Sequence, residues 1–467
     1  MRPTTPVAAA AALLSLLAAA ALAPLLAADP PGAIPKIEAF ARSFVESEVT
    51  PSCVVGVVDG DSTRVLAFGE LDGKESGRAP DGDTVYEIGS ISKAFTGVLL
   101  ALAVGEGRVK LDDPLQSLLP PEAKVPAVGP RPIQLADVAT HSSGLPRMPS
   151  NFSPANPLNP YADYSVEKMY EFLGLCRPAR PPGADYEYSN YAMGLLGHAL
   201  ALRAGTTYEA MLVSGIAEPL GMKSTRIALT PDMARRLAPG HDAAQNPAAN
   251  WDIPALAGAG GIRSTGNDMV RFLAANLRAD DASPLGMALA LAREERWRKA
   301  NGAVGVGLGW HIGDAPGRVW HNGETGGYHS FAAIDAKNRR AVVVLANSAN
   351  RRIDELGRGV MSALAGEDVK PIEKPREAEV GAAALERCVG RYAIAPTFVL
   401  AVTLEGGRLH VQATGQPKFP LFATSETEFF LKVVEARLEF EKAPDGGKSP
   451  SLTLHQNGAA QKAPRVE

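Results

Sequence analysis

In YEIGSISKAFTG, residues 86–97, a serine and a lysine stand three positions apart, Ser90 and Lys93, with Gly89 before them and an apolar run after. A serine hydroxyl is a weak nucleophile at neutral pH. It needs a base within hydrogen-bond reach and donors for the oxyanion that develops during attack. Residues three apart on a helix share a face, about 4.5 Å apart along the axis, so Lys93 can reach Ser90. The run AFTGVLLALAV buries such a helix, and burial pushes a lysine toward the neutral, basic amine. Ser90 at the helix start also has the positive end of the helix dipole beside the oxyanion. No G-x-S-x-G elbow exists in the chain, which argues against the α/β-hydrolase solution. A rival pair, Ser165 and Lys168 in SVEK, reads instead as a helix cap: Ser at the N-cap, Glu167 in the first turn, an amphipathic helix after it.

Two further clusters carry possible partners. Tyr188-Ser189-Asn190 precedes an apolar helix. Tyr188 can pass protons if neighbouring cations lower its pKa, and the Asn190 amide can donate to a substrate carbonyl and hold the lysine. His321-Asn322-Gly323-Glu324 lies at a strand end. A partly charged His321 would bind a carboxylate or support Tyr188. Gly323 would let a substrate backbone approach closely. The backbone N–H of Glu324 would join that of Ser90 in an oxyanion hole. His311-Ile312-Gly313 competes with this motif, and the Gly326-Gly327 pair favours His321.

These residues must be positioned by an α+β layered fold. Residues 34–48 have helical apolar spacing, and 53–73 read as two strands joined by a Gly/Asp turn. Helical segments and Pro/Gly loops alternate from about 90 to 360, and a second strand group runs from 307 to 348. The two strand groups are expected to meet in one antiparallel sheet flanked by helices. The Pro- and Asn-rich stretch 148–165 reads as a surface loop, a common lining of sites. Residues 34–364 form the expected catalytic domain and 365–381 a charged, Pro-containing linker. Residues 382–467 read as a small all-β barrel or meander of about six strands.

The chain has 467 residues, 46% hydrophobic and 21% charged, with net charge −4 and no long basic run, so no nucleic-acid partner is expected. The first 28 residues, one early Arg followed by an Ala/Leu run, read as a secretory signal peptide cut after Ala28. That implies a periplasmic or secreted protein. Nothing after it is apolar for long enough to span a bilayer, so no stable membrane insertion is expected. Cys53, Cys176 and Cys388 are far apart, and two of them joined or all three free are both open. The histidines have no metal-ligand spacing; neither metal nor cofactor is expected. A monomer is expected.

Taken in order, GSISK, YSN and HNG resemble the serine β-lactamase and D-Ala-D-Ala peptidase superfamily, in its class C β-lactamase-like branch, which also includes esterases. LADVATHSSGLP (135–146) and GAGGIRSTGNDMVRFL (258–273) also resemble stretches of that branch. The resemblance implies the β-lactamase/transpeptidase-like fold with a helical subdomain. It implies Ser90 as the acylated nucleophile, Lys93 and Tyr188 sharing proton transfer, and Asn190 on the substrate amide. It places His321 where the β-lactamase motif Lys-Thr-Gly has its lysine, and Met148 where class C enzymes often carry a substrate-binding Gln. Both departures weaken the expectation of efficient β-lactam turnover. The implied activity is hydrolysis of amide or ester bonds through an acyl-enzyme, β-lactamase- or D-alanyl-D-alanine carboxypeptidase-like, on a small molecule or a peptidoglycan-type peptide. A carboxylesterase and a slowly turning-over penicillin-binding or -sensing protein are the alternatives.

Overall fold

The computed structural model describes residues 32–73, 77–278, 281–373, 376–434, 436–456 and 459–466. The expected signal peptide, 1–28, lies outside the described residues.

The centre of the molecule is an eight-stranded antiparallel sheet. Its order is Ser62–Gly69, Ser52–Asp59, Arg340–Ala346, His329–Asp335, Arg318–Glu324, His311–Ile312, Gly305–Val306 and Trp297–Arg298. The early and late strand groups do meet, through a register that runs from Cys53 opposite Ala346 to Asp59 opposite Arg340. Side chains alternate between faces with period two. Val55, Val57, Val342 and Val344 face the helices Ala33–Glu46 and Ile353–Leu364. Val54, Val58, Val343 and Leu345 face the larger helical core. Both faces are covered, so these strands are apolar almost throughout. In Ala33–Glu46 the inward positions Ile37, Phe40, Ala41 and Phe44 follow helical spacing.

The other face carries the helix Ser92–Gly105, buried nearly all round. The helices Asn190–Ala204, Gly266–Asn276 and Pro284–Arg293 pack in the same core, with Phe95 stacked on Phe272 at 4.1 Å between ring centroids. Gly97 and Gly309 bring this helix against the Leu308–Gly309 turn; a Cβ at either position would stand about 2 Å from backbone oxygen of the other segment.

Past a short helix, Ala382–Cys388, the chain forms two antiparallel sheets, one of four strands (Gly390 to Pro420) and one of five (Phe422 to Pro464). Among the described residues the strand count is nine, not about six. Lys418–Pro420 and Phe422–Ala423 are too short to show alternation, and Ala459–Pro464, AAQKAP, has no hydrophobic period at all. This part has its own core, built on Tyr392, Leu409, Phe429, Leu438 and Leu452. The stretch expected as a linker is tied down on both sides: Ile372 N–H donates to Ser43 Oγ (3.0 Å) and Ala378 N–H to the Ala423 carbonyl (2.8 Å). Asn350 Nδ2 donates to the Lys432 carbonyl at 3.0 Å, and the Lys432 ammonium meets Glu377 (2.7 Å) and Glu48 (4.0 Å).

All three cysteines are free and buried, one in each of the three hydrophobic cores: Cys53 with the terminal helices, Cys176 in the helical core, Cys388 in the C-terminal sheets.

Candidate active site

Ser90 lies on a single 3-10 turn, Gly89–Ile91, between the strand Val85–Glu87 and the helix Ser92–Gly105. Gly89 makes this turn possible. Its φ is +48°, in the left-handed region, and a Cβ there would stand 2.7 Å from the backbone nitrogen of Glu324. Ser92 locks the turn: its hydroxyl donates to the Gly89 carbonyl (2.7 Å) and accepts the Ile262 N–H (3.1 Å).

Lys93 is fully buried, with Nζ 2.9 Å from Ser90 Oγ and donating to the Ala259 carbonyl at 2.6 Å. Burial, and then the charge of Arg147, drive its pKa well below the lysine range. It has no acidic partner among the described residues, and burial favours the neutral amine. Asn190 does not hold it, contrary to expectation; the Ala259 carbonyl does. The rival pair is a cap: Ser165 Oγ accepts the Lys168 N–H, and Lys168 Nζ reaches Asp163.

The Tyr188 hydroxyl lies near Ser90, and Lys93 Nζ lies 4.8 Å from the Tyr188 ring centroid. Its pKa is not lowered. Burial raises it more than Ser90 and the Arg147 charge lower it, so Tyr188 is a neutral phenol. The neighbouring Ser189 is structural: its hydroxyl caps the helix Asn190–Ala204 and donates to the Pro146 carbonyl (2.6 Å). Asn190 lines the same pocket as Ser90, together with Tyr161, Trp251, Glu324 and Thr325. Its Oδ1 is buried without a partner, and its Nδ2 meets Met148 Sδ at 3.8 Å. Tyr161 and Met148 come from the 148–165 loop, which does line the site.

The HNG strand departs from expectation at three positions. His321 is buried and neutral; burial, then His311 and Lys93, hold its pKa well below the imidazole range. Its Nδ1–H donates to the Asn322 carbonyl at 2.6 Å, which leaves an unpartnered lone pair at Nε2 and no cation for a carboxylate. Asn322 points to the opposite face of the sheet, where Nδ2 donates to Asp354 (2.7 Å). Gly323 is glycine because the protein's own backbone comes close: a Cβ would stand 2.0 Å from the Ile88 carbonyl. That contact sets the Glu324 backbone against the turn that carries Ser90. The Glu324 side chain is ion-paired with Arg351 at 2.8 Å.

His141 and Arg147 had no role assigned from sequence, although LADVATHSSGLP contains the first and ends one residue before the second. His141 holds the YSN segment. Its carbonyl accepts the Glu187 N–H (2.8 Å), its Nδ1 accepts the Ser189 N–H (3.1 Å), and its ring lies 4.5 Å from that of Tyr188. Trp251 is fixed by Glu87, which accepts its N–H at 2.9 Å.

A family model described as Beta-lactamase matches residues 37–364. The chain belongs to the β-lactamase family. It is a serine hydrolase, and its antiparallel sheet with a helical subdomain is the β-lactamase fold. A second model, a domain of unknown function (DUF3471), matches residues 374–465. Among β-lactamase-family relatives, the D-alanyl-D-alanine-carboxypeptidase/endopeptidase AmpH of Escherichia coli (strain K12) is 31% identical over 332 residues, 68% of this chain and 84% of that protein. Penicillin-binding protein 4* of Bacillus subtilis (strain 168) is 26% identical over 442 residues, 89% of this chain and 94% of that protein. The solved structure of a β-lactamase/D-alanine carboxypeptidase from Yersinia pestis is similar with a TM-score of 0.64 at 26% identity, over 72% of this chain and 98% of that one.

Proposed function

We propose that Ser90 is the nucleophile of a hydrolase acting on D-Ala-D-Ala-type peptides, with β-lactams as secondary substrates or slow inhibitors. The observation that carries this reading is a fully buried lysine, without an acidic partner among the described residues, 2.9 Å from an accessible serine hydroxyl. The Ser90 proton passes to Lys93 as Oγ attacks the carbonyl. The N–H groups of Ser90 and Glu324 receive the oxyanion. Asn190 Nδ2 orients the substrate amide. Tyr188, a neutral phenol near Ser90, returns the proton from Lys93 to the leaving amine. Water then attacks the acyl-enzyme through the same groups in reverse.

A second reading, a carboxylesterase using the same residues, is favoured by one observation: His321 carries no charge for a substrate carboxylate. The parallel assay of a D-Ala-D-Ala peptide, nitrocefin and p-nitrophenyl butyrate decides between the two by kcat/KM. Ser90→Ala should abolish labelling by a fluorescent penicillin or a fluorophosphonate, while Ser165→Ala leaves it in place; the reverse pattern would sink the assignment. We further propose that the protein is exported, with residues 1–28 removed, and works as a monomer on cell-wall peptides. Among the described residues no helix is long and apolar enough to cross a membrane. The N-terminal sequence of the protein recovered from the periplasm or medium tests the export.

A further inference from the structure

A substrate that ends in a carboxylate needs a cation beside the nucleophile, and the strand position that should supply it does not. His321 is neutral, with its proton committed to the Asn322 carbonyl. His311, 4.9 Å from His321 between ring centroids, is pushed down to about 4 by burial and then by Lys93. His141 is held below the imidazole range by burial first, then Lys93, His311 and Arg147. The pKa of Lys93 is itself driven well below the lysine range by burial and then by Arg147. Burial thus disfavours the charged form of all four basic groups.

Two arginines remain at the site. Arg351 is already satisfied: both its Nε and Nη2 meet the Glu324 carboxylate, at 2.8 and 3.3 Å. Arg147 is exposed and has no acidic partner among the described residues. Its guanidinium carbon lies 5.2 Å from the Tyr188 ring centroid, the same ring that Lys93 Nζ approaches at 4.8 Å. Its carbonyl accepts the N–H groups of Asn190 (3.0 Å) and Tyr191 (3.2 Å). The backbone of Arg147 is thus fixed to the segment that carries Tyr188 and Asn190, while its exposed side chain lies over the Tyr188 ring. Guanidinium is the side chain best suited to a carboxylate, which it binds through two parallel hydrogen bonds.

We infer that Arg147 recognises the terminal carboxylate of the substrate, in place of the cation that His321 lacks. This rests on Ser90 being the nucleophile, and it sets specificity: substrates with a free carboxylate on the leaving side are preferred over the same substrates capped as amides. The Glu324–Arg351 pair keeps the other arginine out of that role.

The test compares an acyl-D-Ala-D-Ala peptide with its C-terminal carboxamide on the full-length protein. The wild type should favour the acid at least tenfold in kcat/KM. Arg147→Met should remove that preference, chiefly through KM for the acid, and Arg147→Lys should retain part of it. Arg147→Gln serves if the Met variant folds poorly, with folding checked by circular dichroism. If both substrates fall equally and the acid preference survives, Arg147 acts only through Lys93 or Tyr188, or on the fold, and the inference is overturned. A shift of the pH profile with the preference intact counts the same way. It is also overturned if the wild type turns over both substrates alike, or if Arg351→Met abolishes the preference and Arg147→Met does not. The nucleophile is judged separately: turnover persisting in Ser90→Ala would refute the reading on which this one stands.

Discussion

Lys93, the proposed base, is a stability liability at the scale of one residue. In the unfolded chain Lys93 titrates near 10.4; in the folded protein burial depresses its pKa far below that. The unfolded state therefore binds more protons over the interval between the two values. The stability this group allows is complete above about pH 10.4 and declines as pH falls toward the folded value. Lys93→Met removes the ionisable group while keeping the volume. It should raise the thermal midpoint at pH 7 by the equivalent of roughly 1 kcal/mol, with a margin that widens as pH falls, and abolish acylation. Calorimetry across pH checks this, and a midpoint that drops at every pH would refute it. In the wild type, kcat/KM should fall on the acid side as Lys93 becomes protonated, well below the titration range of free lysine. Ser90 and Lys93 were legible in the sequence because spacing and an apolar run encode both their contact and their burial. The charge state of His321 was not. It depends first on burial and then on His311 and Lys93, brought to it from other elements. Arg147 gave no signal because a lone arginine after a Pro is unremarkable until its neighbours are known.

At the scale of elements, the site is made where the HNG strand presses on the turn that carries Ser90. Gly323 is the point of contact, since a Cβ would stand 2.0 Å from the Ile88 carbonyl. Gly323→Ala should push the strand away, separate the Glu324 N–H from Ser90, and lower kcat at least 100-fold, at a cost of about 1–3 kcal/mol in stability. Gly105→Ala, at the end of the Ser92–Gly105 helix with nothing within 4 Å, is the control and should leave both unchanged. Preserved kcat in Gly323→Ala would show that the oxyanion hole lies elsewhere. The sheet was legible because Val-rich runs at 53–58 and 341–345 announce strands buried on both faces. Why Gly323 is glycine was not, because the approaching group is the protein's own chain from more than 200 positions away, not a substrate. Asn322 shows the same limit from the other side: in a strand, adjacent residues face opposite ways, and the motif HNG does not say which of its members faces the site.

On the scale of the whole molecule, no residue beyond 364 lines the pocket around Ser90 among the described residues. Deleting 381–467 should leave hydrolysis of a small ester within about threefold of wild type per folded molecule. Loss of activity in a well-folded truncate would show that the C-terminal part shapes the site. The truncate gives up the Lys432 contacts to Asn350 and Glu48, so some loss of thermal stability is expected with it. Charge and proline set the stretch 365–381 apart in the sequence, whereas its ties to Ser43 and Ala423 were not legible, because both are made by backbone N–H groups that composition does not encode. The three free cysteines, one per core, have a consequence of their own. Burial pushes the Cys53 thiol up to about 12 and that of Cys388 to about 11, and raises Cys176 as well, so none reacts while its own core is closed. The molecule therefore carries three internal clocks. The rate at which an alkylating reagent marks each thiol reports how often the sheet, the helical region and the C-terminal sheets open, separately and without any added probe.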